Sequence, residues 1–323
     1  MPENNSNRGS WLVIVNPNAG TKKGQKDWEK IAKRISKENI PHSTIFTTKK
    51  GHAIELTREK IKSGYRKFLV VGGDGTLNEV VNGIYSQSAI PPVNCIVGMI
   101  PVGTGNDWCR SFNIPFSYKK AVKLIKKEKT RLQDVGKVSF YNSDIHQSRY
   151  FVNVTGMGYD AVVAAKTNKD KERGRGGPLV YIKNLFTSLL FYKHTSTELF
   201  IDGHPPLKHN LFSVSVGIGK YNGGGMMQLP GAVVDDGIFE VTLIKKLGKF
   251  TVVRQVKNLY DGSFIHHPKV ETYRGQSIEI RSTPPISIEA DGESLGHSPF
   301  KFEMIPKGLC VVAGKKNNRP DKK

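Results

Sequence analysis

The sequence predicts two domains, an α/β domain followed by a mostly β domain built as a sandwich. At 323 residues the chain is long for one core and comfortable for two, since domains take roughly 100–200 residues. Residues 11–125 alternate short β-rich runs with longer amphipathic stretches, as βαβ units do. From about residue 134 many short strand patterns separated by turn signals replace that alternation. The expected limits are 9–133 for the first domain and 134–314 for the second, with the option that the last strand or strands return to the first. Residues 315–323, KKNNRPDKK, read as a disordered basic tail.

In the first domain, strands are expected at 11–15, 42–46, 68–71 and 95–100, each ended by a Gly or Pro cluster, and helices at 28–36, 53–63 and 77–85. In the second, strands are expected at 150–154, 198–201, 211–216, 239–244, 277–280 and 286–289. The basic, glycine-rich stretch 166–177 reads as a surface loop. Segment 179–192, with Leu, Ile and Phe at roughly helical spacing, reads as a helix that either packs on the domain or faces a membrane.

Lys and Arg number 49 against 28 Asp and Glu, a formal net charge of +21. Such an excess is attracted to nucleic acid, anionic lipid headgroups or phosphate-bearing substrates. Specific nucleic-acid binding is not expected, because no recognisable module and no aromatics interleaved with a basic stripe occur. Cys95, Cys109 and Cys310 are odd in number and widely spaced, which fits reduced thiols of a cytoplasmic protein better than disulfides or a zinc site. The polar first ten residues and the absence of a run of about 18 apolar residues argue against secretion and membrane spanning, so peripheral membrane contact is expected.

Residues 68–78, FLVVGGDGTLN, run from a buried-type strand through a glycine-rich turn into a helix with Leu77, Val80, Val81 and Ile84 on one face. Glycines there let backbone N–H groups approach a ligand, and the helix N-terminus adds partial positive charge, so the turn suits phosphate. Many strand-to-helix turns need glycine for steric reasons alone. Asp74 changes the balance: a carboxylate in a phosphate turn repels its ligand unless it meets a divalent cation or a hydroxyl, which points to a metal-nucleotide complex. Residues 20–26 lack the Walker A spacing, and nothing matches a protein-kinase catalytic loop.

GGDGTLNEVVNG at 72–83, with NPNAG at 16–20, PVGTGND at 101–107, VVDDG at 233–237 and ADGE at 290–293 in that order, closely resembles the diacylglycerol kinase catalytic family, which also holds the sphingosine and ceramide kinases. The resemblance covers nearly the whole chain. It implies a Rossmann-like α/β domain of the NAD kinase type, a β-sandwich partner domain, and an ATP-dependent lipid kinase of phospholipid metabolism. It places the nucleotide across the carboxyl ends of the first domain's strands. There it implies contacts from Asn16, Pro17, Asn18, Ala19 and Gly20, from Thr47 (with Thr48 beside it as the rival), from Gly72, Gly73, Asp74, Gly75, Thr76, Leu77 and Asn78, and from Thr104.

The same resemblance gives Asp236 to a magnesium ion, together with the carbonyls of Val233 and Ile238, a hard-donor set suited to that cation; locally, Asp235–Gly237 also reads as a plain β-turn. It gives Glu293 the role of general base. A lipid hydroxyl is not ionised at neutral pH, so a carboxylate placed to take its proton helps in-line attack. Asp74 is the rival base, by likeness to the sphingosine kinase branch, and Asp107 either orients lipid or caps the next helix. His266, His267 and His297 lack metal-ligand company. Diacylglycerol leads as acceptor, with phosphatidylglycerol, a sphingoid base, ceramide or a monoacylglycerol open. A soluble-substrate kinase of the NAD kinase kind and a catalytically silent nucleotide- or lipid-binding regulator are the alternatives. Oligomeric state is open, a homodimer included.

Overall fold

The computed structural model describes residues 7–175 and 178–315. The described residues up to Leu132, with those from Leu309, make one compact unit, and Gln133–Gly308 make another.

In the first unit the elements run β1 (Trp11–Val15), α1 (Ala19–Lys26), α2 (Trp28–Lys37), β2 (His42–Phe46), α3 (His52–Lys62), β3 (Lys67–Gly72), α4 (Asp74–Tyr85), β4 (Ile96–Pro101), α5 (Asp107–Ser111) and α6 (Tyr118–Lys127). β1 reads WLVIV and is buried at every position, the pattern of a parallel strand covered on both faces rather than of an alternating surface strand. The sheet runs β2-β1-β3-β4, all parallel, with Trp11 opposite both His42 and Lys67, and Lys67 opposite Ile96. Val13, Val15, Leu69 and Val71 meet Ile31 and Ile35 of α2 and Val122 and Ile125 of α6 in one cluster. Each such buried side chain contributes about 1.5–3 kcal/mol over exposure. α1 opens with Gly20, Thr21 and Lys22 in left-handed backbone (φ 61, 59 and 65°).

The chain then continues through β5 (Thr130–Asn142), β6 (Ile145–Phe151), β7 (Val154–Gly158), α7 (Tyr159–Glu172), α8 (Pro178–Phe191), β8 (Thr195–Ile201), β9 (Leu207–Gly217), β10 (Phe239–Lys245), α9 (Lys249–Gln255), β11 (Val270–Gly275), β12 (Ser277–Thr283), β13 (Ser287–Ala290) and β14 (Glu293–Val312). Antiparallel pairings lead from β7 to β9, β8, β12, β14 and β13 and back to β7, a path that closes on itself. β10 and β11 extend it from β9. The inward faces of these strands, among them Phe151, Val216, Phe239, Ile280, Phe300 and Phe302, form the core. The last residues of β14 lie in the first unit, where Cys310 and Val311 pair in parallel with Ile96 and Val97 of β4.

Two expected elements are corrected. The strand 150–154 is two strand ends, because Val152 and Asn153 leave the ladder and give their amides to the Asp291 carboxylate (2.9 and 3.0 Å). The stretch 166–177 is not a loop throughout. Residues 166–172 complete α7, and the chain turns at Gly174 with φ 76°, where glycine closes a helix without a Cβ penalty. Residues 176, 177 and 316–323, including nearly all of the expected tail, lie outside the described residues.

Candidate functional site

In the first unit every residue expected to meet nucleotide follows the carboxyl end of a parallel strand: Asn16 to Gly20 after β1, Thr47 after β2, the GGDGT turn at the end of β3, and Thr104 after β4. The chain leaves β1 toward β2 on one side and β3 lies on the other, so the turns after β1 and β3 flank a topological switch point, where open α/β sheets form a ligand crevice. Asn16 donates from Nδ2 to Thr76 Oγ1 at 2.9 Å and accepts from the Asn18 amide at 3.0 Å, which joins the two turns. Gly73 faces Gly103 so closely that a Cβ on Gly103 would lie 2.6 Å from the Gly73 Cα; the turns after β3 and β4 touch only because both lack side chains. Thr104 is exposed.

Of the two threonines after β2, Thr47 is buried and its amide bonds Val15 O at 2.9 Å. Thr48 gives its amide to His52 Nδ1 at 3.0 Å. Glu79 accepts from the amides of Gly51 and Ala53 at 2.8 and 3.1 Å and caps α3. The side chains of Leu77 and Asn78 are fully buried, and the Leu77 amide already bonds Gly73 O. Both therefore serve the scaffold of α4, and the accessible part of the turn is 73–75, between the buried Gly72 and Thr76.

The Asp74 carboxylate accepts the amides of Asp107 and Trp108, each at 3.1 Å. Its charge is thus met in part by the first turn of α5, a resolution of the phosphate-turn conflict that local sequence did not reveal. Asp107 is buried and holds Arg110 Nε at 3.3 Å.

In the second unit, Asp236 is bound to Arg274 through Oδ2, and its Oδ1 accepts the Ile238 amide at 3.2 Å. Arg274 also reaches Glu240 at 3.3 Å. Asp134, fully buried, takes the amides of Gly237 and Lys307 at 2.6 and 2.7 Å and fixes the turn on which Asp236 sits. Among the described residues no group of three or more His, Cys, Asp or Glu side chains could hold a metal. One carboxylate and two carbonyls form an oxygen set of the type that magnesium takes, and a cation bound there would compete with Arg274 for Asp236. Arg274→Ala is accordingly expected to lower the magnesium concentration for half-maximal activity, and Asp236→Asn to raise it. Two titrations indistinguishable from the wild type would remove Asp236 from metal binding.

Glu293 opens β14. It pairs with Ala290 across a two-residue turn in which Asp291 and Gly292 have φ of 49 and 84°, the type I′ geometry that Asp-Gly favours. Asp291 is held by three amides, those of Val152, Asn153 and Val154. Glu293 is half-buried and its Oε2 is buried.

Sequence reasoning missed the carboxylates beside this hairpin. Glu289 is buried and accepts Asn222 Nδ2 at 2.7 Å and the Gly292 amide at 2.8 Å. Burial pushes its carboxyl from 4.5 up to about 8 against the pull of those bonds. Asp160, at the start of α7, is similarly lifted by burial from 3.8 to about 6 while Ser213 and Ser215 hold it back. A raised carboxyl contributes stability that is complete below its unfolded value and is lost as pH climbs to the folded value. Stability should therefore decline between about pH 4.5 and 8 for Glu289. Denaturant unfolding across that window is expected to show a flatter pH slope in Glu289→Gln than in the wild type; equal slopes would refute the assignment. Locally Glu289 reads only as the last residue of the expected strand 286–289, ISIE, in which Ser287 is polar as well.

Tyr159, Asp160, Tyr181, Leu185, Phe212, Ser215 and Gln228 belong to the lining of a largely apolar, partly open cavity.

Residues 10–138 match the family model "Diacylglycerol kinase catalytic domain", and residues 153–313 match "YegS C-terminal NAD kinase beta sandwich-like domain". The chain belongs to the diacylglycerol kinase catalytic family, in its bacterial branch. It is 29% identical over 321 residues to "Putative lipid kinase YtlR" of Bacillus subtilis strain 168, covering 93% of this chain and 98% of that protein. It is 28% identical over 303 residues to "Diacylglycerol kinase" of Staphylococcus carnosus strain TM300, covering 94% of each. "Crystal structure of a putative diacylglycerol kinase from Bacillus anthracis str. Sterne" superposes with a TM-score of 0.74 at 24% identity, over 95% of this chain and 98% of that one, which establishes the fold.

Proposed function

We propose that the chain transfers the γ-phosphoryl group of ATP to a lipid hydroxyl, with diacylglycerol as acceptor and phosphatidic acid as product, at the cytoplasmic face of a membrane. The observation that carries this reading is the convergence of the NPNAG, GGDGT and GTGND turns on one sheet edge, in a chain of this family. Amides of the 72–76 turn and the N-terminus of α4 would hold the phosphates, with Asn16 and Thr76 fixing the turns to one another. The acceptor oxygen bonds to the γ-phosphorus while the bond to the β,γ-bridging oxygen breaks and ADP leaves. Glu293 takes the hydroxyl proton. Asp236 with the carbonyls of Val233 and Ile238 would hold magnesium, which would supply positive charge to offset developing negative charge. The apolar cavity of the second unit has the lining an acyl chain requires.

The test is incubation of the purified protein with labelled ATP, magnesium and a mixed lipid extract. Label is expected in phosphatidic acid. Label in another lipid would replace the acceptor, and label in no lipid, with or without added NAD as a competing acceptor, would overturn the lipid kinase reading.

A further inference from the structure

Helix α8 is apolar on two sides. Leu185 and Leu189 are buried beside Tyr159 and Phe212, whereas Leu179, Ile182, Phe186 and Leu190, spaced at i, i+3, i+7 and i+11, form a second stripe in solvent. Leu179 is 81% exposed and the terminal Phe191 84%. Helix α9 continues this surface: Lys249 donates to the Leu190 carbonyl at 2.6 Å, and its neighbour Phe250 is 74% exposed. Scattered exposed apolar residues are ordinary, but a contiguous run of this kind marks an interaction site.

Charge selects the occupant. Segments 178–193 and 246–260 contain Lys183, Lys193, Lys246, Lys249, Arg254 and Lys257 and no Asp or Glu. Asp261 just past the second segment and Asp170, which accepts from Asn184 at 2.8 Å, are the nearby acids; an apolar stripe in this mainly basic frame matches an anionic bilayer, whose acyl boundary takes the rings while its headgroups meet the cations. Among the described residues no helix is long and apolar enough to cross a membrane, so the helices would lie in the interface. Their other faces line the apolar cavity through Tyr181 and Leu185 of α8 and Val252 of α9. The two helices are thus the wall between bilayer and cavity.

We infer that α8 and α9 form the surface by which this protein docks on anionic lipid, with Leu179, Leu190, Phe191 and Phe250 inserting. The inference rests on the lipid kinase reading, yet docking is read without turnover, so either can fail alone. The full-length protein is sedimented with phosphatidylcholine vesicles, with and without phosphatidylglycerol. Binding is expected only with the anionic lipid and weakens with added salt. Phe191→Ser with Phe250→Ser should lower it by about 10-fold or more, and Lys193→Glu with Lys257→Glu by a similar factor. Both variants should keep the wild-type Tm and ATP affinity, and Val93→Ser, an exposed apolar change in the first unit, should bind vesicles normally. Equal binding by wild type and either double variant would overturn the inference. So would equal binding to neutral vesicles, or self-association lost in Phe191→Ser with Phe250→Ser and unaccompanied by any vesicle binding.

Discussion

Glu293→Gln is expected to lower kcat on the true lipid by about 100-fold or more while ATP affinity stays near that of the wild type, the usual scale for loss of a general base. The substitution keeps the shape of the side chain. It also keeps the bonds by which Asp291 takes the amides of Val152 and Asn153 and Glu289 takes that of Gly292, none of which uses the Glu293 side chain. A fall in kcat with unchanged Tm and unchanged ATP binding by calorimetry would assign proton transfer to this carboxylate. Near-normal turnover would remove it from catalysis.

Asp74→Asn should behave differently. Both carboxylate oxygens of Asp74 accept backbone amides of α5, and an amide side chain offers only one oxygen. One N–H then loses its acceptor and meets a second donor, at a cost of about 1–3 kcal/mol. Because those amides hold the GTGND turn against the GGDGT turn, stability and ATP affinity should fall together with rate. A variant that keeps its Tm and binds ATP normally yet is inactive would exchange the roles of Asp74 and Glu293.

The first unit was legible because its strands are covered on both faces. WLVIV and FLVV announce themselves as unbroken apolar runs, and the helices between them carry the 3.6-residue period. β14 shows the opposite case. Its twenty residues contain Gly296, Pro299, Pro306 and Gly308, each of which reads locally as a break, and pairings with β12, β13, β5 and β4, all distant in sequence or formed across turns, keep it extended. The glycine-rich turn at 72–76 could be singled out for the same local reason as the strands. Asp134 and Glu289 could not, since what matters about them lies in contacts 173 and 67 residues away. Asp74 occupies a middle position: its presence in the turn was conspicuous, but its partners across 33 and 34 residues were not.

The anchoring of Asp291 gives the DGE tripeptide two separable meanings. Its first residue is an architectural fastener, bonded to three amides where β6 gives way to β7, and its second satisfies the handedness of the turn. On the proposed reading only the third performs chemistry. A descendant of this chain could therefore discard the reaction by changing one letter and inherit the scaffold whole, whereas loss of Asp291 would loosen a strand break 137 residues away in sequence before any substrate arrived.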